Sequence, residues 1–150
     1  MPEMTDPRKN LITDESGIAE VARASKRIAV LGIKTEEKAD QAAYYVAKYL
    51  VDAGVEVVPV PVYYPDVTEI LGKKVYRKLV DVPGEIDLVD VFRRPQDIDQ
   101  HVDDLIAKKP KAVWFQLGIT NDGAAMLLAA AGIKVVQNRC LMVDHRRYAR

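Results

Sequence analysis

Cysteine occurs once in the 150 residues, as Cys140, and histidine twice. A lone thiol excludes an intrachain disulfide and a cysteine zinc cluster. Neither an H-E-x-x-H metal motif nor a G-x-S-x-G nucleophile elbow is present, so no metal site and no catalytic residue is expected. An excess of one charge is missing too: 22 Lys and Arg face 22 Asp and Glu. A general nucleic-acid binder would carry a basic surplus. The longest apolar run, Ala124 to Ala131 between Gly123 and Gly132, falls far short of the roughly 20 residues a membrane span needs. The opening MPEMTDPRKN lacks an apolar h-region, so no signal peptide is expected. These absences predict a cytoplasmic chain with neither a membrane nor a nucleic acid as partner.

What is present is a core. Hydrophobic residues make up 49% of the sequence and charged ones 29%, the balance of a globular protein. Strand-like runs occur at 27–33, 55–60, 86–92, 112–117 and 133–136; the first is almost continuously apolar without alternation, as expected for a strand buried on both faces of a parallel sheet. Between them lie segments of helical period. Ile18, Val21 and Ala22 mark a helix from Thr13 or Asp14 to about Ser25. Ala43, Val46, Ala47 and Leu50 mark a second, stopped by Gly54. Pro95 opens a third that runs to Lys108, and Thr120 or Asn121 caps a fourth that runs to Ala131. A short helix over 66–71 and a loop leading into an edge strand over 72–76 complete the pattern, with residues 1–12 as a flexible tail. Strands alternating with helices predict one doubly wound α/β domain over 13–150, a mainly parallel sheet with helices on both faces.

In such sheets ligands bind beyond the carboxyl ends of the strands, where the winding reverses. That rule selects Gly32-Ile33-Lys34-Thr35, Pro59-Val60-Pro61-Val62, Phe92-Arg93-Arg94-Pro95 and Gln116-Leu117-Gly118-Ile119, which should converge on one rim. Gly32 either leads to a phosphate-binding helix N-terminus or simply permits a tight turn. The dinucleotide fingerprint G-x-G-x-x-G is absent after Gly32, and the second strand ends in Val58-Pro59-Val60-Pro61 without the carboxylate that grips a ribose. Arg93 and Arg94 either clamp phosphate or pair with Asp90 or Asp97. Trp114 is expected in the core. Tyr44, Tyr45 and Tyr49 are expected to pack along one helix, with the Tyr63–Tyr64 pair closer to a ligand. His101 should face solvent from an acidic helix, and His145 should belong to a tail.

Four blocks carry a resemblance: Ile70-Leu71-Gly72-Lys73-Lys74-Val75-Tyr76, Asp87-Leu88-Val89-Asp90-Val91-Phe92-Arg93, Val113-Trp114-Phe115-Gln116-Leu117-Gly118-Ile119 and Asn138-Arg139-Cys140. In this order and at these spacings they resemble the small stand-alone CoA-binding proteins, similar to the nucleotide-binding domain of the succinyl-CoA synthetase alpha subunit. The likeness runs from about Ser25 to the end of the sequence. It implies a Rossmann-like domain that holds coenzyme A or an acyl-CoA without catalysis. By that resemblance Gly32, Ile33, Lys34 and Thr35 form the phosphate-side loop, and Val60 and Pro61 line the nucleotide. Phe92, Arg93 and Pro95 wall the middle of the cleft, and Gln116, Leu117 and Gly118 meet the pantetheine. The synthetases' catalytic histidine belongs to a separate domain, so ligase activity is not expected.

Two departures stand out. The first loop continues Glu36-Glu37 where the family has small residues, setting carboxylates near an intended pyrophosphate with Lys34 and Lys38 to offset them. The second strand continues Pro61-Val62 where the family has Asn-Pro. Two other readings therefore stay open. One is an NAD(P)-binding oxidoreductase-like protein. The other is a regulatory module without a small ligand that binds a protein partner or a second copy of itself.

Overall fold

The computed structural model describes residues 6–150. Along the chain run α1 (Glu15–Ala24), β1 (Arg27–Leu31), α2 (Ala42–Asp52), β2 (Glu56–Val60), β3 (Glu69–Ile70) and β4 (Lys73–Lys74). They are followed by β5 (Leu88–Val91), α3 (Val102–Lys108), β6 (Ala112–Phe115), α4 (Asp122–Ala130), β7 (Lys134–Val136) and α5 (Leu141–Tyr148). The five apolar runs form one parallel sheet in the order β2-β1-β5-β6-β7, the Rossmann-like α/β architecture expected.

Strand periodicity sorts the side chains into two cores. Ile28, Val30, Leu88 and Trp114 face α1, α2 and α5, where Ile18, Val21, Val46, Leu50 and Leu141 meet them. Ala29, Leu31, Val60, Val91 and Phe115 face α3 and α4, meeting Val102, Leu105, Ala124 and Leu128. Trp114 is core as expected, fully buried, with its indole N–H donating to the Arg139 carbonyl at 2.8 Å.

Four segments differ from the sequence expectation. Residues 6–12 are docked: Pro7–Asn10 forms a 3-10 turn, Asn10 Nδ2 donates to the Ala129 carbonyl, and Leu11 bridges to Val135 beside the outer edge of β7. Residues 1–5 of the expected tail lie outside the described residues. The stretch 66–71 contributes no helix. Leu71 and Gly72 both take left-handed φ (56° and 72°) and turn β3 into β4 as a hairpin, the backbone of a type I′ turn. The expected helix over 95–108 begins as two 3-10 turns, Pro95–Asp97 and Asp99–His101. Asn121 Nδ2 pins them by donating to the Pro95 carbonyl and to Asp99. Finally, the supposed tail around His145 is α5. Its first N–H, on Leu141, donates to buried Gln116, and Asp144 inside it pairs with Arg139.

Candidate ligand cleft

Leaving β1, the chain crosses to the face covered by α2; leaving β5, it crosses to the face covered by α3. β1 and β5 are neighbours, so the winding reverses between them, and the crevice between the two departing loops is the topological switch point. A cavity of about 370 Å³ opens there, within the range of small-molecule sites. The β1 side supplies Gly32, Ile33 and Lys34, the β5 side Phe92, Arg93 and Arg94, and the segment after β2 adds Val62 and Tyr63.

Gly32 fixes the floor. Its φ is +85°, its N–H donates to the Val60 carbonyl at 2.9 Å, and a Cβ there would stand 2.3 Å from the Phe92 carbonyl oxygen. The two loops approach too closely for any side chain, so the positive φ and the close contact both require glycine. Arg93 lies across this floor, its Cδ 3.3 Å from the same Cβ position.

The three cations at the cleft are held differently. Lys34 donates its backbone N–H to the Ala43 carbonyl at 3.1 Å and its Nζ to Gln41 Oε1, which ties the β1 loop to the start of α2. Arg94 pairs with Asp97 at 2.7 Å. Arg93 pairs with neither Asp90 nor Asp97; its Nε donates to His101 Nε2 at 3.0 Å. Among the described residues its Nη1 and Nη2 have no partner. His101 is half-buried rather than solvent-facing, and burial followed by the Arg93 charge holds its pKa below the ordinary 6.5. Asp90 lies one row beneath this rim, fully buried with both oxygens unpartnered among the described residues. Burial raises its pKa well above the ordinary value.

The expected phosphate-side loop is split. A 3-10 turn, Glu36–Lys38, intervenes before α2, so the helix does not follow Gly32 directly. Thr35, Glu36 and Glu37 line an adjacent hollow of about 260 Å³ with Tyr64 and Glu69. The two carboxylates thus flank the cleft without lining it. Val60 and Pro61 are buried beneath it, and Val62 and Tyr63 take their place in its wall. Phe92 and Arg93 line it; Pro95 is exposed in the following turn. Gln116, Leu117 and Gly118 sit farther along the rim, after β6. There Asn138 Oδ1 accepts the Gly118 N–H at 2.7 Å, and Gln116 Oε1 accepts the Leu141 N–H at 3.3 Å.

Two participants had no signal in the sequence. Arg77 clasps the wall by donating to the carbonyls of Tyr63, Tyr64 and Val67, across a separation that no local pattern reveals. His101 reaches Arg93 only because two 3-10 turns fold it back.

A larger cavity, about 460 Å³, lies at the opposite end of the sheet, bordered by Ser25, Ala53 and Ala149, the C-caps of α1, α2 and α5. Helix C-termini present carbonyl oxygens and a partial negative charge; the side chains of Lys26, Arg150 and Asp52 also line the cavity. His145 lines it, its Nδ1 3.0 Å from Tyr49 Oη and its pKa lowered by burial and then by Lys26. Among the described residues no cluster of three or more His, Cys, Asp or Glu could hold a metal. No helix among them is long and apolar enough to cross a membrane.

The family model of the CoA binding domain matches residues 26–146. The chain belongs to this CoA-binding domain family. An uncharacterized relative, YneT of Bacillus subtilis (strain 168), is 34% identical over 128 residues, covering 85% of this chain and 91% of YneT. A hypothetical protein of Pyrococcus horikoshii OT3 superposes with a TM-score of 0.79 at 35% identity, covering 98% of this chain and 99% of that one. A dinucleotide-forming acetyl-coenzyme A synthetase of Ca. Korarchaeum cryptofilum matches with a TM-score of 0.64 at 19% identity, covering 77% of this chain and 26% of the synthetase. That last likeness is one of fold. The family match spans both loops of the switch point, from β1 to α5.

Proposed function

We propose that the chain binds coenzyme A at the β1–β5 switch point and carries out no chemistry on it. The observation that carries this reading is Arg93, laid over the Gly32 backbone with two guanidinium nitrogens uncommitted at the mouth of the cleft. A guanidinium edge matches a phosphate oxygen pair, and coenzyme A brings a pyrophosphate and a 3′-phosphate. Lys34 and Arg94 add positive charge at the same opening. The pantetheine arm would run along the rim toward Gly118, past the exposed side chain of Leu117. A purely binding role fits the engagement of both imidazoles, His101 by Arg93 and His145 by Tyr49. The NAD(P) reading has less support, because β2 still ends in Pro59 and Val60 with no carboxylate for the ribose.

Thermal shifts with CoA, dephospho-CoA, acetyl-CoA, NAD, NADP and ATP test the proposal. A ligand at about 100 times its Kd adds about 2.7 kcal/mol, roughly 5 to 10 °C for a domain of this size. CoA compounds should give that shift, and the double variant Lys34→Ala, Arg93→Ala should lose it while remaining folded. A shift with NAD but not with CoA would reject the reading. Silence toward all six would favour a protein partner instead. Comparing acetyl-CoA with CoA tells whether an acyl group adds affinity.

A further inference from the structure

Arg93 is the cleft's free guanidinium among the described residues, yet a long side chain over a glycine floor has little to hold it in one rotamer. What holds it is a single hydrogen bond, from its Nε to His101 Nε2 at 3.0 Å. An Arg Nε always carries its proton, so His101 Nε2 must be the bare, accepting nitrogen, and the imidazole must be neutral with its proton on Nδ1. Gln100 Nε2, at 3.4 Å, faces the same nitrogen with an amide that can donate. A second proton on His101 would set N–H against N–H and place two positive charges side by side.

The charged groups facing the ring come from each element around it: Arg93 from the loop after β5, Asp97 from the first 3-10 turn and Asp104 from α3. Asp97 is already engaged by Arg94, and Asp104 accepts the N–H groups of Leu79 and Val80. Neither carboxylate hydrogen-bonds the imidazole; both favour its charged form through space, but burial and the Arg93 charge outweigh them.

We propose that His101 is a positioning residue that turns the cleft into a pH-sensitive anion site. Neutral, it holds Arg93 by the inner nitrogen and presents the outer guanidinium edge to a phosphate. Protonated, it releases Arg93 and the anion is held less well. This rests on the reading of the cleft as a CoA site and deepens it. The sign follows from linkage: the state that grips the anion is the one without the proton, so affinity is full at neutral pH and falls as the pH drops through the His101 pKa, which lies below 6.5.

The experiment is a titration of affinity against pH from 7.5 to 5, with dephospho-CoA as the probe, because a 3′-phosphate monoester would itself titrate near pH 6. Wild type should weaken by roughly tenfold or more across this range, the scale of losing one well-placed charged hydrogen bond. His101→Gln keeps an acceptor without a titrating proton; it should bind like wild type at pH 7.5 and show no step below pH 6.5. His101→Leu should bind roughly tenfold more weakly already at pH 7.5. A His101→Gln profile that still follows wild type overturns the inference, as does wild-type affinity that rises on acidification.

A second measurement is independent of any ligand. The imidazole resonances of His101 should titrate below 6.5, and Arg93→Ala should move that pKa upward. An unmoved pKa rejects the Arg93–His101 couple. With the couple intact and no CoA compound bound, the CoA reading fails by itself. The same pH series on inorganic sulfate, which keeps its charge from pH 7.5 to 5, then decides the inference, and the absence of a pH step there rejects it.

Discussion

At the scale of single residues, two positions set up the cleft at opposite costs. Gly32 is there because no Cβ fits: the Phe92 carbonyl oxygen would lie 2.3 Å away and φ is +85°. Gly32→Ala should destabilise the fold by at least about 2 kcal/mol, combining left-handed strain with a backbone clash, and should widen the β1–β5 gap. Chemical denaturation measures the first and CoA affinity the second. Asp90 works against stability. In the unfolded chain its carboxyl ionises near 3.8, whereas in the fold, buried and unpartnered, it stays protonated well above that value. Its cost therefore grows as the pH rises above 3.8 and stops growing once the pH passes the raised folded value. Asp90→Val, a strand-forming replacement beside Val30 and Trp114, should raise stability at pH 7 by about 1 to 3 kcal/mol, the ordinary cost of a buried unsatisfied polar group. The gain should shrink toward pH 4, as denaturant curves at the two pH values would show.

At the scale of elements, α5 is the piece most dependent on charge. Arg139 donates from both ends of its guanidinium, to Asp144 within α5 and to Glu15 at the start of α1, and Tyr148 Oη donates to the same glutamate. Asp144 is 2% exposed, so Arg139→Met would strand a buried carboxylate, a change that costs about 3 to 5 kcal/mol. Arg139, then Tyr148, hold the Glu15 carboxyl down to about 2. Its contribution is present above the ordinary value of 4.5 and is lost as the pH falls from there to about 2. Acid unfolding followed by circular dichroism should thus begin at higher pH in Tyr148→Phe than in wild type.

The same element shows why part of the fold was legible in the sequence and part was not. The parallel strands were legible because burial on both faces leaves an uninterrupted apolar run, as in 112–115. α5 was not, since Asp144, His145, Arg146 and Arg147 crowd a short segment whose apolar anchor, Leu141, resembles the end of a strand run. The cleft follows the same division. Gly32, Phe92 and Arg93, picked from strand ends as residues of a rim, do line this cavity, whereas Val62 and Tyr63 line it in place of the buried Val60 and Pro61. His101 and Arg77 act through contacts between segments that carry no mutual pattern.

At the scale of the whole molecule, the sheet has two outer strands and both are covered. On β2 the Pro59 carbonyl accepts the Tyr76 N–H at 3.0 Å, and proline itself leaves no donor at that position. On β7 the Val135 carbonyl accepts the Ile12 N–H at 2.8 Å, beside the Leu11 bridge. An open sheet edge is a template for another chain's strand, so the segment around Leu11 acts as a stopper against fibrillar self-association. Loosening it should matter more for solubility than for folding. Ile12→Pro, which deletes the donor, should leave the Rossmann-like core intact by circular dichroism. It should also generate large species on warming below the melting temperature, detectable by light scattering and thioflavin fluorescence.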